Sequence, residues 1–229
     1  MAKVKWRVIK TGAAAAFASL LISGTSAAAE ESGVYVTASY GKAPKLFSRS
    51  DLDDAFAAVL KQTLTLESSS ARKHDTIWSA GVGYRMGQNV AVEATYFDLG
   101  KIHYDAAGSA LLSGTNYATA IDLDTRSRGP ALALVWVLPL WNAWGVDTRA
   151  GIYHGKTSTR YVTTLGENER SHSGSANSTS LLLGIGGSYT ATEHLIVRLD
   201  YFHLNDIKEE GFNAKFDADI VTAGMTYQF

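Results

Sequence analysis

The feature that most limits how this chain can fold is an alternation with a period of two, in which apolar residues alternate with small or polar ones. From Gly33 to Gly41 every second residue is apolar or aromatic, and the residues between are mostly small or polar. The same alternation recurs at 78–86, 90–96, 146–152, 181–189, 195–201 and 221–229. Successive side chains of a strand point to opposite faces, so this period predicts β-strands. A stretch at 126–138 adds an eighth strand, whose orientation stays open because both of its faces are apolar.

The connections between these strands are unequal in a regular way. Those after the second, fourth and sixth strands are short, whereas the longer ones cover 43–75, 105–120, 163–177 and 209–214. Short periplasmic turns that alternate with longer extracellular loops are typical of outer-membrane barrels. We therefore predict an all-β fold, an eight-stranded antiparallel up-and-down transmembrane β-barrel. Aromatic residues near the ends of the apolar segments predict two interfacial girdles, formed by Tyr40, Trp78, Tyr84, Tyr96, Trp141, Trp144, Tyr189, Tyr201 and Tyr227.

The first 29 residues have the layout of a secretory signal peptide. Four basic residues within positions 3–10 precede an uncharged stretch rich in Ala and Leu, which ends in three alanines directly before Glu30. This pattern predicts a cleavable signal peptide over 1–29 and an outer-membrane barrel domain over 30–229. A retained transmembrane helix is the alternative, and its apolar part is short and weak. The chain has no cysteine, so a disulfide framework and thiolate metal ligands are excluded.

The charge balance bears on the choice of partner. Residues 1–29 hold four of the 21 basic residues and none of the 22 acidic ones, so the remainder of the chain is acidic. An acidic chain without a basic stripe argues against a nucleic-acid partner.

Six charged residues fall on the face opposite to the apolar one in their strands. They are Arg85, Glu93, Asp147, Arg149, Arg198 and Asp200. A cation on the lipid face near the midplane costs about 2 to 4 kcal/mol, so we expect all six to point into the lumen. The interior of an eight-stranded barrel is filled by its own side chains, and we expect these groups to pair in an ionic cluster that closes the lumen. The alternative is that they line a path for ions or solutes.

In the first long connection, Ser50 precedes three aspartates, and apolar residues follow at helical spacing as far as Leu64. This pattern predicts a short amphipathic helix that packs against the barrel mouth or the membrane interface. Binding of a partner by this helix is the alternative.

Several polar residues map near the extracellular ends of the strands. Four of them are histidines, namely His74, His103, His154 and His203. Their spacing matches no ligand motif, so we expect no metal site. Three lysines at the same rim suit the phosphates of lipopolysaccharide, namely Lys42, Lys156 and Lys215.

The segment His203-Leu204-Asn205 deserves comparison with a catalytic pattern, because it is similar to the His-x-Ser of outer-membrane lipid A deacylases. Asn205 stands where that pattern has its serine. Without the hydroxyl there is no nucleophile, so this segment predicts no catalysis.

One hairpin carries a resemblance to a known family. Residues 81–85, a short polar turn and residues 90–101 resemble the second hairpin of the OmpA-like, opacity-type small outer-membrane β-barrel proteins. Residues 33–36 are similar to the first strand of that family and residues 224–229 to its last. The resemblance implies insertion by the barrel assembly machinery, which reads the terminal aromatic strand. The residues that we expect to form this assembly signal are Tyr227 and Phe229.

Together the patterns predict an integral protein of the bacterial outer membrane with a structural or surface-interaction role, through loop-mediated adhesion or envelope integrity. We expect no catalysis and no cofactor. The expected partners are outer-membrane lipid and lipopolysaccharide, the barrel assembly machinery, and a host or surface ligand at the extracellular loops. Two alternatives stay open, a narrow pore for small solutes and a lipid A-modifying enzyme.

Overall fold

Antiparallel strands account for nearly all of the residues that the computed structural model describes, which are 32–45, 63–73, 76–112, 115–166, 168–208 and 215–229. The strands are β1 (Gly33–Lys45), β2 (Thr63–Lys73), β3 (Ile77–Arg85), β4 (Val90–Leu112), β5 (Thr115–Pro139), β6 (Trp144–Leu165), β7 (Asn168–Thr190), β8 (Leu195–Lys208) and β9 (Lys215–Gln228). Within these ranges, no helix has the length and hydropathy required to cross a membrane. The predicted signal peptide lies outside the described residues, as does most of the predicted amphipathic helix. The last apolar residue of that helix prediction, Leu64, belongs to β2, so the helical expectation is wrong at this position.

The strands close into a ring with eight positions. Its order is β3, β1, β9, β8, β7, β6, β5 and β4, and pairing of β3 with β4 completes the circle. β2 pairs only with β4, at 102–111, directly beyond the part of β4 that pairs with β3. β2 and β3 therefore occupy one ring position in succession, and the predicted eight-stranded antiparallel barrel is confirmed.

Side chains alternate between the two faces of the ring wall, as the period of two predicts. The outward-facing positions carry large apolar side chains that are about half exposed, including Val82 at 55%, Ile152 at 53% and Met225 at 58%. β5, whose orientation the sequence left open, points Leu132, Leu134 and Trp136 outward and Ala131, Ala133 and Val135 inward. Small inward residues on β5 leave room in the lumen for larger side chains from the other strands.

At one end of the ring, tight connections join the strands, and we call this the short-turn end. Residues 86–89, 140–143 and 191–194 form these turns. Gly87 has a φ of 81° and Asn142 a φ of 50°, which are left-handed conformations that Gly and Asn adopt more readily than other residues. The sequence pattern therefore located these turns correctly.

At the opposite, extended end, much of the longer connections that we predicted as extracellular loops is β-strand. Most of 105–120 and 163–177 continues the strands on either side, so that β4 pairs with β5 as far as Leu112↔Thr115 and β6 with β7 as far as Leu165↔Asn168. β2 lies in the segment predicted as the first loop. These stretches were missed because they lie beyond the lipid-facing wall and lack its large apolar side chains. We call the paired strand segments beyond the lipid-facing wall the extension sheet, which comprises 63–73, 101–112, 115–126, 158–165 and 168–175.

Inside the ring, two layers succeed each other along the axis. The half nearer the extended end is apolar, with Phe97, Tyr153 and Phe202 almost fully buried. The Phe97 ring meets Phe202 edge-on at a centroid distance of 5.5 Å and Tyr153 edge-on at 6.3 Å. Such edge-to-face contacts are favourable arrangements for aromatic rings. The half nearer the short-turn end is ionic.

Candidate functional site: the charged lumen and the outer rim

Five of the six charged residues assigned to the lumen by their parity form one network in the structure. Arg149 lies 2.8 Å from Asp200, 3.6 Å from Asp147 and 3.9 Å from Glu93. Arg198 contacts the same three carboxylates at 3.4 to 3.6 Å. All five side chains are 7% exposed or less. Each guanidinium thus faces three acids, and each acid faces both guanidiniums.

Neutral side chains satisfy further hydrogen-bonding positions of this network. Tyr35 donates its hydroxyl to Glu93 at 3.0 Å, and Thr95 donates to the other oxygen of Glu93 at the same distance. Ser188 donates to Asp147 at 3.3 Å, and Arg198 donates to Thr226 at 3.2 Å. Because buried charges require both a counter-charge and hydrogen bonds, these hydroxyls help to keep the ions in place.

Two glycines provide the space that the network needs. A Cβ on Gly83 would lie 2.1 to 2.5 Å from three atoms of the Tyr35 ring, and a Cβ on Gly186 would lie 2.1 Å from a carboxylate oxygen of Asp200. The rings and carboxylates therefore lie directly over the glycine backbones. Sequence reasoning identified these glycines only as small inward residues.

Arg85, the sixth residue, is not part of the network. None of the ion pairs among the described residues involves it, and its buried Nε has no hydrogen-bond partner there. It lines a cavity of about 340 Å³ at the short-turn end, whose walls also include Asp147, Arg149, Arg198 and the turn residue Gln88. The cavity reaches the ionic layer from one side, while the apolar layer lies on the other side.

On the outer face of the extension sheet, the strand register assembles a polar cluster that the linear spacing of residues did not reveal. His103 Nδ1 lies 3.0 Å from Asp124 and 3.6 Å from Asp122, and Lys101 Nζ lies 3.0 Å from Asp124. The ligand atoms of His103, Asp122 and Asp124 all lie within 4.8 Å of one another, a separation that would suit a divalent cation. Partial burial acts to raise the pKa of Asp124, but hydrogen bonds from Lys101 and His103 outweigh it and hold that pKa below its ordinary value.

A second pair of this kind lies on β8 and β9. His203 Nδ1 is 2.7 Å from Asp219, and Tyr201 donates its hydroxyl to the same oxygen at 2.7 Å. A histidine oriented by a carboxylate is the base part of a catalytic triad. Asn205 lies one outward position further along β8 and is exposed, and its amide offers no nucleophile.

The other residues that the sequence assigned to the extracellular rim and to the terminal assembly signal lie at separate places in the barrel. Lys42 and Lys156 are exposed, and His154 Nδ1 lies 2.9 Å from the Thr179 hydroxyl. Lys215 begins β9, whereas His74 falls outside the described residues. At the C-terminus, Tyr227 and Phe229 are 46% and 71% exposed, and their rings meet edge-on at 5.1 Å.

A family profile described as OmpA-like transmembrane domain matches residues 31–229. A search of curated protein sequences gives no match. Among solved structures, the chain is similar to Neisserial surface protein A, with 14% identity, a TM-score of 0.43, and coverage of 86% of this chain and 97% of that one.

Two further solved structures have a similar fold. The attachment invasion locus protein Ail of Yersinia pestis has 13% identity and a TM-score of 0.43, with coverage of 87% of this chain and 99% of that one. The outer membrane protease OmpT of Escherichia coli has 9% identity and a TM-score of 0.49, with coverage of 86% and 97%. At such low identity, these likenesses concern the fold alone.

Proposed function

Because the chain belongs to the OmpA-like transmembrane domain family, and is thus an integral β-barrel of the bacterial outer membrane, we propose that it is a closed barrel whose extension sheet mediates surface interaction. In this family's orientation the short-turn end is periplasmic and the extension sheet is extracellular. The role includes adhesion to a host or surface ligand and a contribution to envelope integrity, without catalysis.

One observation carries this proposal, namely that strands continue well beyond the lipid-facing wall and present a charged outer face. β4 and β5 remain paired for more than ten residues past Lys101↔Arg126. On the outer face of the extension sheet lie Lys101, His103, Asp122, Asp124 and Arg160, whereas its inner face buries Ile102, Tyr104, Ile121 and Leu123. A sheet with its own buried face presents its charges in fixed positions, as a recognition surface requires.

The two-layered interior supports a closed barrel. An ion that crossed the lumen would have to separate the pairs around Arg149 and then pass the apolar layer of Phe97, Tyr153 and Phe202. A charge in such an apolar layer is unfavourable unless it is paired. The network and the apolar layer together favour an ionic cluster that closes the lumen over one that lines a path.

Removal of the extension sheet tests the proposal. Thr157 and Ala176 are cross-strand partners, as are Ile102 and Thr125, so an Asn-Gly turn can join either pair after deletion of the residues between them. We expect both variants to form heat-modifiable barrels in the outer membrane and to lose binding of cells to host or abiotic surfaces. Wild-type adhesion and wild-type envelope resistance in both variants would refute the proposal.

A narrow pore is the second candidate, and the cavity of about 340 Å³ at the periplasmic end favours it. Planar-bilayer recordings separate the two functions. The closed barrel predicts no stable channels for the wild-type protein, whereas large and stable channels would support the pore. Substitution of Phe97 and Phe202 by Ala, which thins the apolar layer, serves as the positive control for sensitivity.

A further inference from the structure

We propose that the outer wall of β3 to β6 binds one phosphate-bearing lipid of the outer leaflet, with its phosphate on Arg128 and Lys156 and an acyl chain in the groove beneath them. This inference goes beyond the surface role of the extension sheet and does not depend on it.

The first observation is a pair of like charges in direct opposition. Arg128 and Lys156 are Cα partners in the β5–β6 ladder, and both side chains are exposed on the outer face. The Cβ atoms of such partners lie about 5 Å apart, and like charges in this position destabilise a sheet. None of the hydrogen bonds or ion pairs among the described residues involves either cation. An anion between them would turn this unfavourable contact into a favourable one.

The nearby acid does not remove the excess of positive charge. Asp98 is the cross-strand partner of Arg128 on β4, but it is buried under Arg126, whose guanidinium donates two hydrogen bonds to its carboxylate. The Asp98 carboxylate therefore faces two cations, Arg126 and Arg128, and Lys156 adds a third positive charge opposite Arg128. The exposed part of this group is cationic.

The second observation is a groove on the lipid-facing wall next to these cations. It has a volume of about 460 Å³ and is lined mainly by small or apolar residues, among them Ala80, Val82, Ala94, Tyr96 and Pro130. Pro130 is one outward position below Arg128 on β5, which corresponds to about 7 Å along the strand. The two alanines leave a shallow, open depression between larger neighbours, and its apolar lining suits a hydrocarbon chain.

The position of the two cations along the barrel axis favours a lipid headgroup as their ligand. The next outward positions below Arg128 and Lys156 are Pro130 and the exposed His154, and beyond these the outer face is apolar, with the partners Leu132 and Ile152 both about half exposed. The cations thus lie just beyond the apolar wall, where lipid phosphates are found. A phosphate held by two cations and joined to a chain in the groove satisfies both observations at once.

The test measures binding of diphosphoryl lipid A to the folded mature barrel in detergent, by native mass spectrometry. The matched lipid without phosphates is the reference ligand. We expect the double variant Arg128→Gln and Lys156→Gln to bind diphosphoryl lipid A about 25-fold more weakly than wild type, since each cation contributes about fivefold at a lipid surface. Arg160→Gln, which removes a cation opposite Asp124 on the same face, is the control and is expected to bind as wild type does.

Two further variants separate binding from folding. Lys156→Glu replaces the like-charge pair with an ion pair, so we expect it to resist urea at least as well as wild type while its lipid affinity falls. Ala94→Phe fills the groove and is expected to weaken binding, whereas Ala150→Phe, on the outer face of β6 and outside the groove, is not. Unchanged affinity in the double variant, or equal affinity of wild type for the lipid without phosphates, would overturn the proposal.

Discussion

Removal of Arg149 from the lumen is the perturbation for which the structure gives the clearest energetic expectation. The Arg149 side chain is 1% exposed, lies within 4 Å of three carboxylates, and has its guanidinium 5.6 Å from the centre of the Phe202 ring. In Arg149→Met, Glu93, Asp147 and Asp200 would share Arg198 as the single guanidinium of the network. Loss of one partner from a buried ion pair costs about 3 to 5 kcal/mol, because the remaining charge stays buried without compensation.

The assay is equilibrium unfolding in urea of the barrel folded in detergent, followed by tryptophan fluorescence. Trp78, Trp136 and Trp144 lie on the outer face and report when the wall leaves the apolar phase. With an m value of about 2 kcal/mol per molar, the expected loss lowers the urea midpoint by about 2 M. Arg160→Met removes an exposed arginine from the extension sheet and is expected to change stability by less than about 0.5 kcal/mol.

A compensating substitution distinguishes loss of charge balance from loss of packing. Asp200→Asn in the Arg149→Met background removes one of the carboxylates left in excess, and we expect it to restore about half of the lost stability. A double-mutant cycle then gives a coupling energy of about 1 to 3 kcal/mol between the two sites. The reasoning is refuted if Arg149→Met costs less than about 1 kcal/mol, or if Asp200→Asn adds its full cost to that of Arg149→Met.

Three further predictions concern separate parts of the barrel. Gly83→Ala should lower the free energy of unfolding by about 1 to 3 kcal/mol, because the new Cβ displaces the Tyr35 ring from its hydrogen bond to Glu93. The control is Gly187→Ala, since a Cβ at Gly187 meets nothing within 4 Å. Equal stabilities of the two variants would contradict the clash at Gly83. The lowered pKa of Asp124 means that its contribution to stability is present above the unfolded pKa of about 3.9 and is lost as pH falls through the lower folded value. Unfolding midpoints measured between pH 6 and 2 should therefore fall more for wild type than for Asp124→Asn, and parallel pH profiles would exclude this contribution. Phe229→Ala should reduce the heat-modifiable fraction recovered from outer membranes more than Met225→Ala does. Both residues face lipid, but of the two only Phe229 belongs to the expected terminal assembly signal. Equal recovery of the two variants would contradict that role.

Much of the barrel wall was predictable because each strand encodes its two faces locally. The outward set Val82 and Tyr84 and the inward set Gly81, Gly83 and Arg85 follow from parity alone, whatever strands lie beside them. The same parity placed Glu93, Arg149 and Asp200 on the inner face. What it could not give is their distances, since Glu93 and Arg198 are 105 residues apart and meet only after the ring has closed.

The extension sheet was missed for a different reason. Residues 168–180 of β7 are polar and small, and no lipid-facing alternation distinguishes them from a loop. They are strand because β6 is already extended beside them and offers its backbone groups for pairing. Pairing of this kind depends on the neighbouring strand rather than on the local sequence.

The sequence alone determined that this chain crosses a membrane with strands, where those strands turn at the short-turn end, and which of their faces meets lipid, because a two-residue period is a local property of the backbone. The tertiary structure alone decided which residues become neighbours across strands. The register placed His103 beside Asp124, Arg128 opposite Lys156, and two guanidiniums among three carboxylates. Register depends on the closure of the whole ring, and a shift of one strand by two residues would preserve its faces while changing all of its cross-strand partners.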